Sequence, residues 1–117
     1  MKTNVIVVPE KEAFAKATSH DNEIYINKNL GTPNLVGRNT KYVAPFWLDE
    51  DEKGARRVYH ILGTYDTVDC TVLILGNSFV LKEVWSNMGN HRKFEYHPLV
   101  SFDLVEIKEG LLMHYKI

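Results

Sequence analysis

Short runs of β-branched and aromatic residues, separated by turn-forming residues, occupy most of the chain and constrain its fold more than any other feature. Such runs predict β-strands, because these side chains fit a pleated, half-buried surface. The runs cover residues 4–9, 22–28, 41–48, 55–66, 70–76, 78–85, 99–107 and 111–117, and the last two are separated by residues 108–110, Lys-Glu-Gly. Six or seven short strands with one early helix predict an α+β fold, a small, mostly antiparallel β-barrel or strongly bent sheet with one N-terminal helix.

Proline and glycine set the expected boundaries of these elements. Pro9 is expected to end the first strand and to begin the helix, over residues 10–20. Pro45 removes one ladder donor, which predicts that its strand lies at a sheet edge or contains a bulge. The dipeptide at 76–77, Gly-Asn, predicts a hairpin turn. Residues 28–40 contain two glycines, one proline and three asparagines, and they predict a long loop.

Length and composition describe an ordinary globular chain. The 117 residues predict one domain, residues 1–117, with no second core. The net charge of −1 is unlike that of proteins that bind nucleic acids by bulk electrostatics, so such binding would need a local basic patch. Cys70 is the only cysteine, which excludes an internal disulfide and multi-cysteine metal sites. The apolar run near the N-terminus is too short for the core of a signal peptide, and no stretch of about 20 apolar residues occurs, so we expect neither a signal peptide nor a membrane span. A cytoplasmic location away from membranes is the default expectation.

Nucleotide-binding and hydrolase motifs are absent from the sequence. It contains neither a GxxxxGK[ST] or GxGxxG phosphate loop nor a GxSxG nucleophile turn. Nucleotide hydrolysis, dinucleotide redox chemistry and α/β-hydrolase chemistry are therefore disfavoured, and no cofactor is predicted.

Residues 89–99, GNHRKFEYHPL, concentrate more chemistry than any other part of the chain. A metal site is disfavoured here, because His91 and His97 would lie about 20 Å apart along a strand. One ion with ligand bonds of about 2 Å cannot reach both. We predict no metal ligand.

Catalysis is a weaker alternative for the same residues. Either histidine could act as a general base with Glu95 as its orienting partner, in a small His-dependent hydrolase. The nearest hydroxyl groups, Ser86 and Ser101, belong to no recognisable motif, so no catalytic residue is assigned.

Binding of a nucleic acid fits these residues better. Arg92 and Lys93 carry positive charge for phosphates, while Phe94, Tyr96 and the nearby Trp85 offer flat surfaces for stacking. A structural alternative stays open, because Phe94 and Tyr96 alternate with charged residues as half-buried strand residues do.

The order of segments resembles the PUA-like superfamily of small β-barrels, especially its EVE- and ASCH-type members. The resemblance rests on a "Y-x-A-x-(W/Y)" pattern, on a strand from Tyr59 to Thr64, and on a closing "Y-x-P-L-x-F-x-L" pattern. The residues that carry the first and third patterns are Tyr42, Ala44, Phe46, Trp47, Tyr96, Pro98, Leu99, Phe102 and Leu104. The resemblance implies binding of RNA or of a modified DNA base in an aromatic-lined pocket.

Carried over to this chain, the resemblance assigns roles to individual residues. Trp47 and Trp85 would stack on bases. Tyr42, Asn87 and His91 would read base edges, and Arg57 and Arg92 would contact phosphates. The candidate ligand-binding set, including the aromatic Tyr96, is therefore Tyr42, Trp47, Arg57, Trp85, Asn87, His91, Arg92 and Tyr96. The acidic residues 49–52 depart from the pattern and weaken the case for strong, sequence-independent affinity.

The leading prediction is thus a non-enzymatic module with RNA or DNA as its partner. The first alternative is an interaction or assembly domain, including a homodimer, that would use residues 41–48 as an exposed strand edge. The His-dependent hydrolase is the second alternative.

Overall fold

Strands make up most of the molecule in the computed structural model, which describes residues 2–10, 22–48, 53–89, 91–108 and 111–115. In 104–108 and 111–115 the description covers the backbone. The strands are β1 (Asn4–Glu10), β2 (Glu23–Asn27), β3 (Thr40–Trp47), β4 (Gly54–Asp66), β5 (Cys70–Trp85), β6 (Glu95–Pro98), β7 (Leu104–Lys108) and β8 (Leu111–Tyr115). Helical turns in this part of the chain are limited to two short 3₁₀ helices, Lys28–Leu30 and Leu99–Ser101.

All eight strands belong to one open sheet. Its order is β6-β1-β3-β4-β5-β7-β8, with β2 pairing beside β5, and the two ends of this path do not pair. β1 and β3 run parallel, whereas the other paired strands are antiparallel. The predicted α+β fold with a β-barrel or strongly bent sheet and an N-terminal helix is therefore wrong. The described residues form a mostly antiparallel open sheet without an α-helix.

The predicted helix falls almost entirely on residues 11–20, which lie outside the described residues. Its first residue, Glu10, is described and is the last residue of β1. Pro9 therefore does not end the strand. Beyond Val7, β1 pairs with β3 alone, and a missing ladder donor costs least where a strand has a neighbour on one side.

β1 is buried on both faces and separates two hydrophobic cores. Successive strand side chains point to opposite faces, so Val5 and Val7 enter one core while Ile6 and Val8 enter the other. The first core comprises Val5, Val7, Ala44, Phe46, Ala55, Val58, Leu81, Trp85, Met88, Leu99 and Phe102. The second core comprises Ile6, Val8, Ile24, Ile26, Val43, Leu73 and Leu75. The predictions of a buried first strand and of a second strand with Ile24 and Ile26 on its buried face are confirmed.

β3 is an interior strand, with β1 on one side and β4 on the other. The prediction of an exposed edge at residues 41–48 is therefore wrong. The alternative prediction of a bulge is confirmed, because the register with β4 shifts between Val43 and Phe46, around Pro45. A bulge tolerates the missing N–H of proline within a paired strand.

β5 continues through residues 76–77 without the predicted hairpin turn. The strand has 16 residues. Its first part, residues 70–74, pairs with β2, and its later residues Val80 and Leu81 pair with β7. The side chain of Leu62 packs closely against the backbone at Gly76, because a Cβ at residue 76 would lie 2.8 Å from Leu62 Cδ2. Trp85, at the end of β5, lies opposite Ala55 of β4. The chain then leaves the sheet and returns as β6, which pairs with β1 at the other end of the strand order.

Candidate functional site

Trp85 is the centre of an aromatic cluster in the first core. Its indole stacks on Phe102, with 4.9 Å between ring centroids, and meets His97 edge-on at 4.6 Å and Phe46 edge-on at 6.2 Å. The residue is only 6% exposed. Its broad faces are therefore used by the core, and the predicted role of stacking on a base does not fit this placement. Among the described residues, the indole N–H of Trp85 has no hydrogen-bond partner.

The segment from Ser86 to Lys93, here called the β5–β6 segment, is anchored at three described points. Met88 is buried in the first core. The backbone N–H of Gly89 donates to Glu95 Oε1 at 3.1 Å, and the His91 ring stacks on Phe46 with 5.3 Å between centroids. Backbone hydrogen bonds and packed rings of this kind hold a connection in one conformation without regular secondary structure.

A cleft of about 270 Å³ lies where this segment leaves β5. The end of β5 and the start of the segment form one wall, and the residues around the second 3₁₀ helix form the other. Its lining residues are Leu81, Glu83, Val84, Trp85, Ser86, Asn87, Ser101, Phe102 and Asp103. Of the predicted site residues, Trp85 and Asn87 meet here. Glu83, Ser101 and Asp103 were missed by the sequence analysis, because no motif links them and only folding brings them together.

The other end of the β5–β6 segment is basic. Arg92 and Lys93 are exposed, and the chain here crosses from the first core, where His91 packs, to the second, where Phe94 packs. Arg38 adds a third cation, with its guanidinium carbon 5.2 Å from the centroid of the Tyr96 ring. Tyr96 is only about 10 Å of extended chain from Lys93.

Tyr96 has a structural role in this region. Its hydroxyl accepts a hydrogen bond from the backbone N–H of Asn34 at 2.8 Å, and its ring packs in the second core. It therefore ties the loop after β2 to β6. That loop belongs to residues 24–48, which contain three basic residues and no aspartate or glutamate.

The remaining predicted site residues lie elsewhere. Tyr42 packs near His60, with 5.5 Å between ring centroids, on the face of the first core. Trp47 is half-buried and lies opposite Glu10 of β1 and Gly54 of β4. Arg57 is exposed, and its Nη1 donates to Ser78 Oγ at 3.3 Å. The described cleft therefore contains two of the eight predicted residues, Trp85 and Asn87.

On β6, His97 and Glu95 form a histidine–carboxylate pair of the kind that orients a general base. The imidazole Nε2 lies 2.9 Å from Glu95 Oε1. In the described part of the chain, no hydroxyl or thiol group is hydrogen-bonded to this imidazole.

The structure places Glu10 in a strand, whereas the sequence predicted that it begins a helix. It is 3% exposed, and within the described residues neither carboxylate oxygen has a hydrogen-bond partner. Burial raises its pKa from 4.5 to about 7, because the charged form loses hydration. The period-two spacing from Ile6 and Val8 was the available signal, since it places residue 10 on the same buried face.

Within the described residues, no group of three or more histidine, cysteine, aspartate or glutamate side chains is arranged to hold a metal ion. No helix in this part of the chain is both long enough and apolar enough to cross a membrane. Comparisons with protein-family models, with curated proteins and with solved structures gave no match.

Proposed function

We propose that the protein is a nucleic-acid-binding module that holds one unstacked base in the cleft beside Trp85 and contacts the neighbouring phosphates through Arg92 and Lys93. The observation that carries this proposal is that one anchored segment joins the two surfaces. Asn87 in the cleft and Arg92 at the basic end are five residues apart, which is at most about 17 Å of chain. A short single-stranded segment can therefore contact both.

The size and lining of the cleft suit one heterocycle. Its volume of about 270 Å³ is below the ~300–1,000 Å³ that is typical of pockets for drug-sized ligands. Asn87, Ser86 and Ser101 supply both hydrogen-bond donors and acceptors at its walls. Proteins read single-stranded nucleic acids in this way, by hydrogen bonds to the edges of bases that have left the stack.

The charge distribution supports a local, limited contact with the nucleic-acid backbone. The chain as a whole carries a net charge of −1, so bulk attraction is absent. Arg92 and Lys93 are exposed neighbours in sequence, Arg38 lies over the ring of Tyr96 three residues after Lys93, and each cation can neutralise one phosphate. Three such contacts on a single strand give a slope of about −2 in a plot of log affinity against log salt concentration.

Fluorescence anisotropy with labelled 12-nucleotide single strands of mixed sequence, in DNA and RNA form, tests the proposal. Titrations at 50 and 200 mM salt should show saturable binding that weakens with salt. Arg92→Glu and Lys93→Glu should each lower the affinity by about tenfold at 50 mM salt, because each replaces an attraction to phosphate by a repulsion.

Arg57→Glu is the matched control. Arg57 is an exposed arginine on β4, which lies three strands and about 14 Å from β6 across the sheet. Reversal of the charge at residue 57 should therefore leave the affinity near that of the unmodified protein. Absence of saturable binding to every oligonucleotide at 50 mM salt would contradict the proposal. An effect of Arg57→Glu as large as that of Arg92→Glu would contradict it as well, since charge alone would then explain binding.

A further inference from the structure

The carboxylate of Glu10 is a buried group that lacks the usual compensation for burial. The residue is 3% exposed, and among the described residues neither of its carboxylate oxygens has a hydrogen-bond partner. Buried polar side chains nearly always have such a partner, and a charged carboxylate without one is especially costly. The folded conformation around Glu10 therefore suits the protonated side chain and not the charged one.

Glu10 also lies where β1 is held by the fewest strand contacts. Residues 4–7 pair with β6 on one side and with β3 on the other, whereas residues 8–10 pair with β3 alone. Pro9 has no N–H group to donate. The C=O of Glu10 accepts a hydrogen bond from the N–H of Leu48 at 3.0 Å. Pro9 and Glu10, here called the β1 end, can therefore leave β3 while the earlier residues of β1 stay paired on both sides.

We infer that the β1 end is a pH-sensitive latch, closed on β3 while Glu10 is protonated and open when its carboxylate is charged. Opening returns the charge to water, which the closed state does not allow. Trp47 lies opposite Glu10 on β3 and is half-buried. Opening therefore also uncovers the neighbourhood of Trp47 and changes the surface that the protein presents at this end of β3.

β3 and β4 supply the described side chains around Glu10 that bear on its charge. On β3, Trp47 and Leu48 lie beside it, and neither side chain titrates. On β4 lies the phenol of Tyr59. Burial raises the pKa of Tyr59, the positive charge of Arg57 lowers it, and the negative charge of Glu10 raises it. Tyr59 is therefore neutral when Glu10 is charged, and Glu10 is the group of this set that changes charge near neutral pH.

The effect of pH on the latch has a defined sign and size. Burial raises the pKa of Glu10 from 4.5 to about 7, and opening restores the lower value. The open state therefore binds fewer protons between these values, so that a rise in pH favours opening. Between pH 4.5 and pH 8 the equilibrium constant for opening should increase about 100-fold.

Hydrogen exchange at the backbone N–H of Leu48 tests the inference, because this group bonds to the β1 end. Its protection factor, which is corrected for the intrinsic pH dependence of exchange, should fall about 100-fold between pH 4.5 and pH 8. Global unfolding also exposes Glu10, so urea below the unfolding transition is used to separate the two processes. Local opening exposes little surface, and the protection of Leu48 should therefore respond to urea much less than that of the most protected amides of β3 and β4.

Two glutamate variants complete the test. In Glu10→Gln the protection of Leu48 should stay constant with pH. In Glu83→Gln, which alters an exposed glutamate of β5, it should fall as in the unmodified protein. A pH dependence that survives in Glu10→Gln overturns the inference, because another group would then be titrating.

Two results in the unmodified protein overturn the inference without relying on how Glu10→Gln folds. The first is protection of Leu48 that does not change with pH. The second is the same urea dependence at Leu48 as in the most protected amides, since the pH effect would then belong to global unfolding alone.

Discussion

The imidazole of His91 lies nearly parallel to the ring of Phe46, with 5.3 Å between the ring centroids and 27° between the planes. This contact joins an otherwise irregular connection to a buried residue of an interior strand. Asn87 and Arg92 lie on either side along the same segment, so the position of His91 sets the separation between the cleft and the basic end. The arrangement of these two surfaces therefore depends on core packing, and core substitutions can test it.

Replacing His91 by alanine should loosen the β5–β6 segment. Loss of one aromatic contact should lower the free energy of unfolding by about 0.5–1.5 kcal/mol. The affinity for single strands should fall several-fold, although no phosphate-binding cation is removed. Urea denaturation and anisotropy titration measure the two effects. His60→Ala is the control, because His60 also packs on an aromatic ring, that of Tyr42, but lies outside the segment. Equal affinity losses in both variants would contradict the role given to His91.

Stability should fall as the pH rises, because of Glu10. Its pKa is about 7 in the folded protein and 4.5 in the unfolded reference. Between these values the folded state binds more protons, so the contribution of Glu10 is present below pH 4.5 and is lost as the pH rises through 7. At about 1.36 kcal/mol per pKa unit, the full effect is about 3 kcal/mol.

Glu10→Gln removes this titration. The variant should match the unmodified protein near pH 4.5 and should be more stable by up to about 3 kcal/mol at pH 8, as measured by urea denaturation across that range. A stability difference that does not change with pH would show that Glu10 is not the titrating group.

The two tryptophans should differ sharply in their contribution to stability. Trp85→Ala removes the centre of the aromatic cluster and should cost about 3–5 kcal/mol, because the cavity it leaves is enclosed by Phe46, Phe102 and His97. Trp47→Ala should cost clearly less, since Trp47 is half-buried at a strand end. Chemical denaturation of both variants makes the comparison. Similar costs for the two substitutions would contradict the assignment of Trp85 to the core.

Gly76→Ala should destabilise the protein by about 1 kcal/mol relative to Gly63→Ala. A Cβ at residue 76 would lie 2.8 Å from Leu62 Cδ2, whereas a Cβ at residue 63 would meet Ile74 at 4.0 Å. Shortening the obstructing side chain, in the double variant Gly76→Ala with Leu62→Ala, should recover the loss. Failure of this rescue would contradict the assignment of the loss to a steric clash with Leu62.

The sequence predicted strands well and their arrangement poorly, and particular residues show why. Strand formation could be predicted for residues 5–8 and for Ile24 and Ile26, because β-branched side chains favour strands and this preference is a local property. Gly76-Asn77 has the local signature of a turn, but the chain pairs with β4 on both sides of it, at Leu75 and Ser78, and stays extended with a shift in register. The interior position of β3 depends on β1 and β4 together, and no local pattern in residues 41–48 encodes it.

The candidate site was predicted in part for the same reason. Asn87, His91 and Arg92 belong to one continuous segment, so sequence proximity places them together. Tyr42 and Trp47 belong to β3, and their alternation and position along it carry them to other parts of the sheet. Glu83 and Asp103 meet in the cleft only because β5 and the chain after the second 3₁₀ helix pack side by side.

The most direct test of base binding in the cleft is the indole N–H resonance of Trp85 in ¹H–¹⁵N correlation spectra. The chain has two tryptophans, so Trp47 serves as an internal control. Titration with a 12-nucleotide single strand of mixed sequence should shift the Trp85 indole signal and the side-chain amide signals of Asn87 saturably, together with the backbone signals of Arg92 and Lys93. The Trp47 indole signal should stay in place. Saturable shifts at Trp47 with none at Trp85 or Asn87 would place the ligand elsewhere and contradict the account.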